Sequence, residues 1–197
     1  MFSEVFQALQ NNQFLVAESC LQKILATSPK NPDALHLMGV VCGIQCRPLE
    51  ALGYFEQALQ LTPEDSALHF NVAKALSTLQ RDVEALEYHQ KALTLDPQNP
   101  EIWLNYGRSL DNLRKREEAL ACYEKAVTLQ PKMVEGWFNK GKIFGELKRY
   151  EEALWSYINA YQLRPTEPFL LGVILHYKML ICDWVDLKGL SLKIQYD

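Results

Sequence analysis

The chain has 197 residues, 48% hydrophobic and 22% charged, with a formal net charge of -4. That composition belongs to a globular protein with a substantial core, and its mild acidity argues against nucleic acid, whose backbone needs a basic face. The opening MFSEVFQALQ has no basic n-region, and the longest apolar run, around residues 169–175, is far too short to span a bilayer, so neither a secretory signal nor a membrane segment is expected.

Along the chain one period dominates. Pro29, Pro63, Pro97, Pro131 and Pro165 are 34 residues apart each time. Ala17, Ala51, Ala85, Ala119 and Ala153 keep the same spacing, as do Ala58, Ala92, Ala126 and Ala160. Gly39, Ala73, Gly107 and Gly141 form a small-residue series, and Phe55, Tyr123 and Tyr157 a large one. Such phase-locking is the signature of stacked supersecondary units.

The predicted elements follow in chain order. Residues 1–31 read as a first helical hairpin that lacks the opening residues of its first helix. Residues 32–65, 66–99, 100–133 and 134–167 read as four full hairpins, each a helix, a short turn, a second helix and a proline-marked turn. In 100–133 the first helix is expected over about 100–113, with Asn99 as N-cap, Pro100 at its first position and Glu101 favouring the helix dipole. A basic turn, Arg114-Lys115-Arg116, leads to a second helix over about 117–129. Trp103, Tyr106, Gly107 and Leu110 share one face of the first helix, and Ala119, Tyr123 and Ala126 one face of the second. A large residue opposite a small one lets the helices approach.

The W…LG…Y…A…F…A…P phasing at this period resembles the tetratricopeptide repeat (TPR) over nearly the whole chain. The resemblance implies an all-α, right-handed TPR solenoid of antiparallel helix pairs, with about five repeats over residues 1–167 and a divergent C-terminal helical unit over 168–197. It also implies a concave face lined by the first helix of each pair, and a protein or peptide partner for it. His69 and Leu35 stand where Trp103 and Trp137 stand later, and His89 replaces the large aromatic of the second helix, so weaker local packing is expected there.

Across repeats, one position of the first helix reads Leu37, Asn71, Asn105, Asn139, Val173. Three residues on come Val40, Lys74, Arg108, Lys142, His176; one residue before come His36, Phe70, Leu104, Phe138, Gly172. An asparagine side chain offers the same acceptor and donors as a peptide group. Asn71, Asn105 and Asn139 are therefore expected to hold the backbone of an extended peptide. Lys74, Arg108 and Lys142 would favour acidic or phosphorylated segments, Phe70 and Phe138 would contact apolar ones, and Asp111 and Asn112 would lie at the far end of the same face. Neither possible frame supplies the lysines with which family members clamp the C-terminal carboxylate of heat-shock chaperones. Arg47, Arg81, Lys115 and Arg149 form a second series, read as cations near helix ends with acids following rather than as a nucleic-acid stripe.

The helix from Pro168 to about Leu180 is apolar nearly all round and is expected to be covered on more than one face, by a partner chain, a further domain or the folded-back segment 184–194. Self-association or a domain contact through 168–197 follows as an expectation. The stretch LHYKMLICDW, with Cys182, Asp183 and Trp184, resembles the end of the repeat array in O-linked N-acetylglucosamine transferase-like proteins, whose substrate-guiding half also carries an asparagine ladder. No catalytic constellation accompanies it. His36, His69, His89 and His176 fall in different repeats, and no phosphate loop, nucleophile elbow or metal-binding spacing occurs, so no enzyme, metal or cofactor is expected. Cys42 and Cys46 lack a second pair and are expected to pack rather than bind zinc. The five cysteines read as reduced thiols of a cytoplasmic protein.

Overall fold

A computed structural model describes residues 2–184. Among them every regular element is an α-helix: α1 (Phe2–Gln10), α2 (Phe14–Thr27), α3 (Pro32–Ile44), α4 (Pro48–Leu61), α5 (Ser66–Thr78), α6 (Asp82–Leu95), α7 (Pro100–Asn112), α8 (Arg116–Leu129), α9 (Val134–Glu146), α10 (Tyr150–Leu163) and α11 (Pro168–Leu180). The chain divides into two compact units, one ending at Pro97 and the other beginning at Gln98. In the first, α1 pairs with α2, α3 with α4 and α5 with α6, and α2–α3 and α4–α5 stack the pairs. In the second, α7 pairs with α8 and α9 with α10, while α8–α9 and α10–α11 provide the stacking.

Local chemistry sets the helix ends. The side-chain oxygens of Asn31, Asp65 and Asn99 accept from backbone N–H groups of the first turns of α3, α5 and α7. The second helix of each pair stops at Ser28, Thr62, Asp96, Gln130 or Arg164, directly before the periodic proline.

The first helix of each pair, and α11, ends in a left-handed residue: Asn12, Cys46, Gln80, Arg114, Lys148 and Cys182 have φ between 56° and 63°, and none is glycine. At each, two backbone bonds close a Schellman turn. Gln80 N–H donates to the Ser77 carbonyl at 3.0 Å and Arg81 N–H to that of Leu76 at 2.9 Å, and the same pair recurs at the other five sites. Cys46 is thus an exposed turn residue, not the packing residue expected; Cys42 is buried in the core. In four of the turns the next residue is a cation that stands at the N-cap position of the following helix and pairs with a glutamate three residues on: Arg47–Glu50, Arg81–Glu84, Lys115–Glu118 and Arg149–Glu152. The basic series is therefore engaged by neighbouring carboxylates, Arg47 also by Glu18 of α2 at 2.8 Å.

Between paired helices the small and large series meet. A Cβ on Gly39 would lie 2.5 Å from the Phe55 ring, one on Gly107 2.7 Å from that of Tyr123, and one on Gly141 3.0 Å from that of Tyr157. In α5–α6 both members change together: Ala73 adds the methyl and His89 is the smaller ring, and both are fully buried. His69 is buried too, and its Nε2–H donates to the Pro63 carbonyl at 2.8 Å, as the Trp137 indole donates to Pro131 at 2.9 Å. Leu35 is likewise in the core. All three positions are thus buried although the residue types change.

In α11, Leu170, Leu171 and Ile174 are buried, whereas Phe169, Met179 and Leu180 are exposed. Among the described residues its apolar surface is covered on one face. The segment 185–194, expected as one cover, lies outside the described residues.

Candidate functional site

Each unit carries a groove lined by first helices, and each groove holds one of the expected asparagines with one cation. In the first unit Asn71 and Lys74 of α5 face Val40 and Ile44 of α3 and Phe55 of α4 around a space of about 370 Å³. In the second, Asn139 and Phe138 of α9 and Leu104 and Arg108 of α7 meet Phe169 and Leu170 of α11 around about 380 Å³. Both volumes suit a large side chain with its adjoining backbone.

The three asparagines share a register position but not a hydrogen-bonding state. Asn71 Nδ2 lies 2.8 Å from Nε2 of His36 on α3. Asn105 Nδ2 donates to the Glu101 carbonyl, one turn back on its own helix, at 2.9 Å. Asn139, half-buried in the second groove, has no such partner among the described residues. Rungs that are alike in sequence thus offer a ligand different atoms.

The cations differ in the same way. Lys142 Nζ is 2.7 Å from Asp111 Oδ2 and 3.9 Å from Glu146 Oε1, and Glu146 also binds Arg116 at 2.5 Å. Lys142 and Asp111 therefore satisfy one another. Lys74 and Arg108 are exposed and make no ion pair among the described residues, so their charge is open to an anion. Phe70 is half-buried, 6.4 Å from the His89 ring, and belongs to the α5–α6 packing. Phe138 touches Tyr157 edge-on at 5.6 Å and Phe169 at 6.1 Å; with Phe169 65% exposed, the two form an aromatic wall of the second groove. Asn112 is exposed at the last position of α7.

Some groove residues follow no periodic series and were not expected. Arg164 ends α10 and lies 3.5 Å from both Glu135 and Glu167, so the second groove has a polar rim beside its aromatic wall. In the first groove Cys46 and Pro48 contribute from the α3–α4 turn. The only signal for these was proximity to a helix end. No group of three or more histidine, cysteine or acidic side chains able to hold a metal occurs among the described residues. No helix among them is long and apolar enough to cross a membrane.

Paired helices at a 34-residue period, with grooves between first helices, define a helical-hairpin repeat protein. The tetratricopeptide-repeat family matches residues 47–100 and 104–168, more than half of the chain, and the chain belongs to that family. Comparison with curated protein sequences finds no match. Among solved structures, PilW, a widely conserved type IV pilus biogenesis factor, superposes with a TM-score of 0.86 at 17% identity, over 98% of this chain and 90% of its own. PilF of Pseudomonas aeruginosa gives 0.84 at 20% identity, over 98% and 87%. YrrB, a TPR protein with an unusual peptide-binding site, gives 0.71 at 23% identity, over 89% and 88%. At these identities the likeness is one of fold.

Proposed function

We propose that this protein is an interaction scaffold that captures an extended peptide or partner segment along its first helices, with Asn71, Asn105 and Asn139 as backbone contacts and a preference for acidic segments. The observation that carries this reading is the second groove, where Asn139, with no amide partner among the described residues, sits with Arg108, which makes no ion pair there, beside the Phe138–Phe169 wall. An amide for the backbone, a cation for a carboxylate and an apolar wall for a side chain are the complement an acidic peptide needs. The shared fold with YrrB is consistent with it. Lys74 and Arg108 carry the acidic preference, while Lys142, held by Asp111, contributes less. The five free thiols fit a cytoplasmic protein.

Alanine at all three asparagines is expected to abolish capture of partners from the native cell extract, while helicity and melting stay nearly unchanged. Retained capture overturns the reading.

A guide module of a glycosyltransferase is the alternative, carried by Cys182, Asp183 and Trp184. Two of these have turn roles: Cys182 is the left-handed residue after α11, and the Asp183 carboxylate accepts from Lys178 Nζ at 2.7 Å. Exposed Trp184, with Phe169, Met179 and Leu180, is the surface through which a catalytic domain or a second copy would engage residues 168–197. Light scattering with Phe169 and Met179 changed to serine separates a copy from a foreign domain.

A further inference from the structure

Asn71 and His36 meet nitrogen to nitrogen, 2.8 Å apart. An amide nitrogen can only donate, so the imidazole Nε2 must accept, and His36 is neutral with its proton on Nδ1. One of the two Asn71 N–H groups is thereby spent inside the protein, and the carbonyl Oδ1 is the strong acceptor left for a ligand. Asn105 spends a donor on the Glu101 carbonyl in the same sense. Both rungs are therefore biased towards accepting a ligand N–H.

The two holds differ in one respect. The Glu101 carbonyl cannot change its role, whereas an imidazole can. We propose that His36 is a specificity-determining residue of the first groove: neutral, it makes the Asn71 rung accept from a ligand N–H, and protonated, it turns the same rung into a donor for a carbonyl or carboxylate oxygen. This rests on the peptide-binding reading of the groove. Once Nε2 carries a proton, two donors face each other. The amide relieves this by a half-turn about its last side-chain torsion, which sets Oδ1 against Nε2–H and leaves the NH₂ group for the ligand. The protonated ring adds a positive charge behind a rung that already has Lys74 one turn on, so the low-pH groove favours an anionic oxygen.

The surroundings hold the ring for this role. It is half-buried and meets Phe55 of α4 edge-on, centroids 5.9 Å apart. The charged groups that face it are Asp65 at the start of α5 and Asp33 on its own helix; neither α2 nor α4, also packed against α3, brings one that acts on it. Burial lowers its titration below the ordinary histidine value, against the opposing pull of Asp65 and then Asp33, so it is neutral near pH 7. The equivalent positions hold Phe70, Leu104, Phe138 and Gly172, so no other rung has a titratable neighbour there.

The first test needs no ligand. In the ¹⁵N-labelled full chain, NMR from about pH 7.5 down to about pH 4.5 follows the His36 ring nitrogens and the asparagine side-chain amides. The expected result is His36 protonated on Nδ1 at neutral pH and an Asn71 NH₂ signal that moves with the His36 midpoint, while the Asn105 signal does not. His36→Phe, the residue found at this position in two other repeats, should abolish the Asn71 response. His36→Gln, which keeps an acceptor that does not titrate, should hold Asn71 in its neutral-pH state throughout. A proton on Nε2 at neutral pH, or an Asn71 amide indifferent to the His36 titration, overturns the proposal.

The second test uses a random peptide pool displayed on phage and selected at about pH 7.5. Peptides whose binding needs Asn71 should weaken about tenfold below the His36 midpoint, the cost of opposing one hydrogen bond. The effect should vanish in His36→Gln. Equal weakening in both proteins overturns the gating. A pool without binders overturns the peptide reading instead, and the ligand-free titration still decides the role of His36.

Discussion

The hairpins α5–α6 and α9–α10 occupy the same register of the repeat and solve its packing with different residues. In α9–α10 an indole donates to the Pro131 carbonyl and a glycine lies under a tyrosine ring. In α5–α6 an imidazole donates to the Pro63 carbonyl, and buried Ala73 and His89 occupy the register positions of that glycine and tyrosine. What persists between them is a ring N–H aimed six residues back and a constant sum of two volumes. The repeat is thus a set of physical requirements that several residue types meet.

The largest expected break in this equivalence is its response to acid. Burial lowers the pKa of His89 to about 4, while Tyr157, its counterpart, gains no proton in this range. The unfolded chain protonates His89 near pH 6.5 and the folded chain only near 4, so its stability contribution is complete above pH 6.5 and falls as pH drops through that interval. The loss is up to about 3 kcal/mol. Hydrogen exchange should show α5–α6 opening earlier than α9–α10 as pH falls; equal sensitivity at both, or none at α5–α6, refutes the assignment.

Next comes the size exchange. His89→Tyr puts a larger ring at a fully buried position whose register partner is Ala73 and should cost about 1–3 kcal/mol, as overpacking does. Adding Ala73→Gly should recover most of it. Gly141→Ala in α9–α10 should mirror this, with Tyr157→His as the rescuing partner. Urea unfolding of both double-mutant cycles measures the coupling, and additive effects would show that the paired positions are independent.

The smallest effect should be the same in both hairpins. Gln80→Gly and Lys148→Gly each remove a side chain from a left-handed residue, relieving about 1–2 kcal/mol of backbone cost against about 0.5–1 of glycine entropy. A gain of about 0.5 kcal/mol in thermal unfolding is expected at either site. A loss would mean that these side chains have roles beyond the turn.

The fold was legible because repetition makes position visible: the helices begin and end within a residue or two of where Asn99, Pro100 and the periodic prolines set them. The groove positions were legible for the same reason. The state of each rung was not, since an amide's orientation depends on what stands opposite, His36 for Asn71 and the Glu101 carbonyl for Asn105. The left-handed turn residues escaped notice because the demand there falls on the backbone, and Asn12, Cys46, Gln80, Arg114, Lys148 and Cys182 share no side-chain chemistry. Lys142 was read as a ligand cation from its series, and only the closeness of Asp111 shows its charge already matched.

Arg47, Arg81, Lys115 and Arg149 each end one helix and begin the next. No residue between the two helices of these hairpins is spare. An insertion or deletion there would have to unwind a helical turn and break an ion pair with it. The proline-bearing segments between hairpins hold several non-helical residues and can change length without that penalty. Lineage-specific insertions and engineered loops should therefore be tolerated just before Pro63 or Pro131, where the six-residue span to His69 or Trp137 is kept, and rejected next to Gln80 or Lys148.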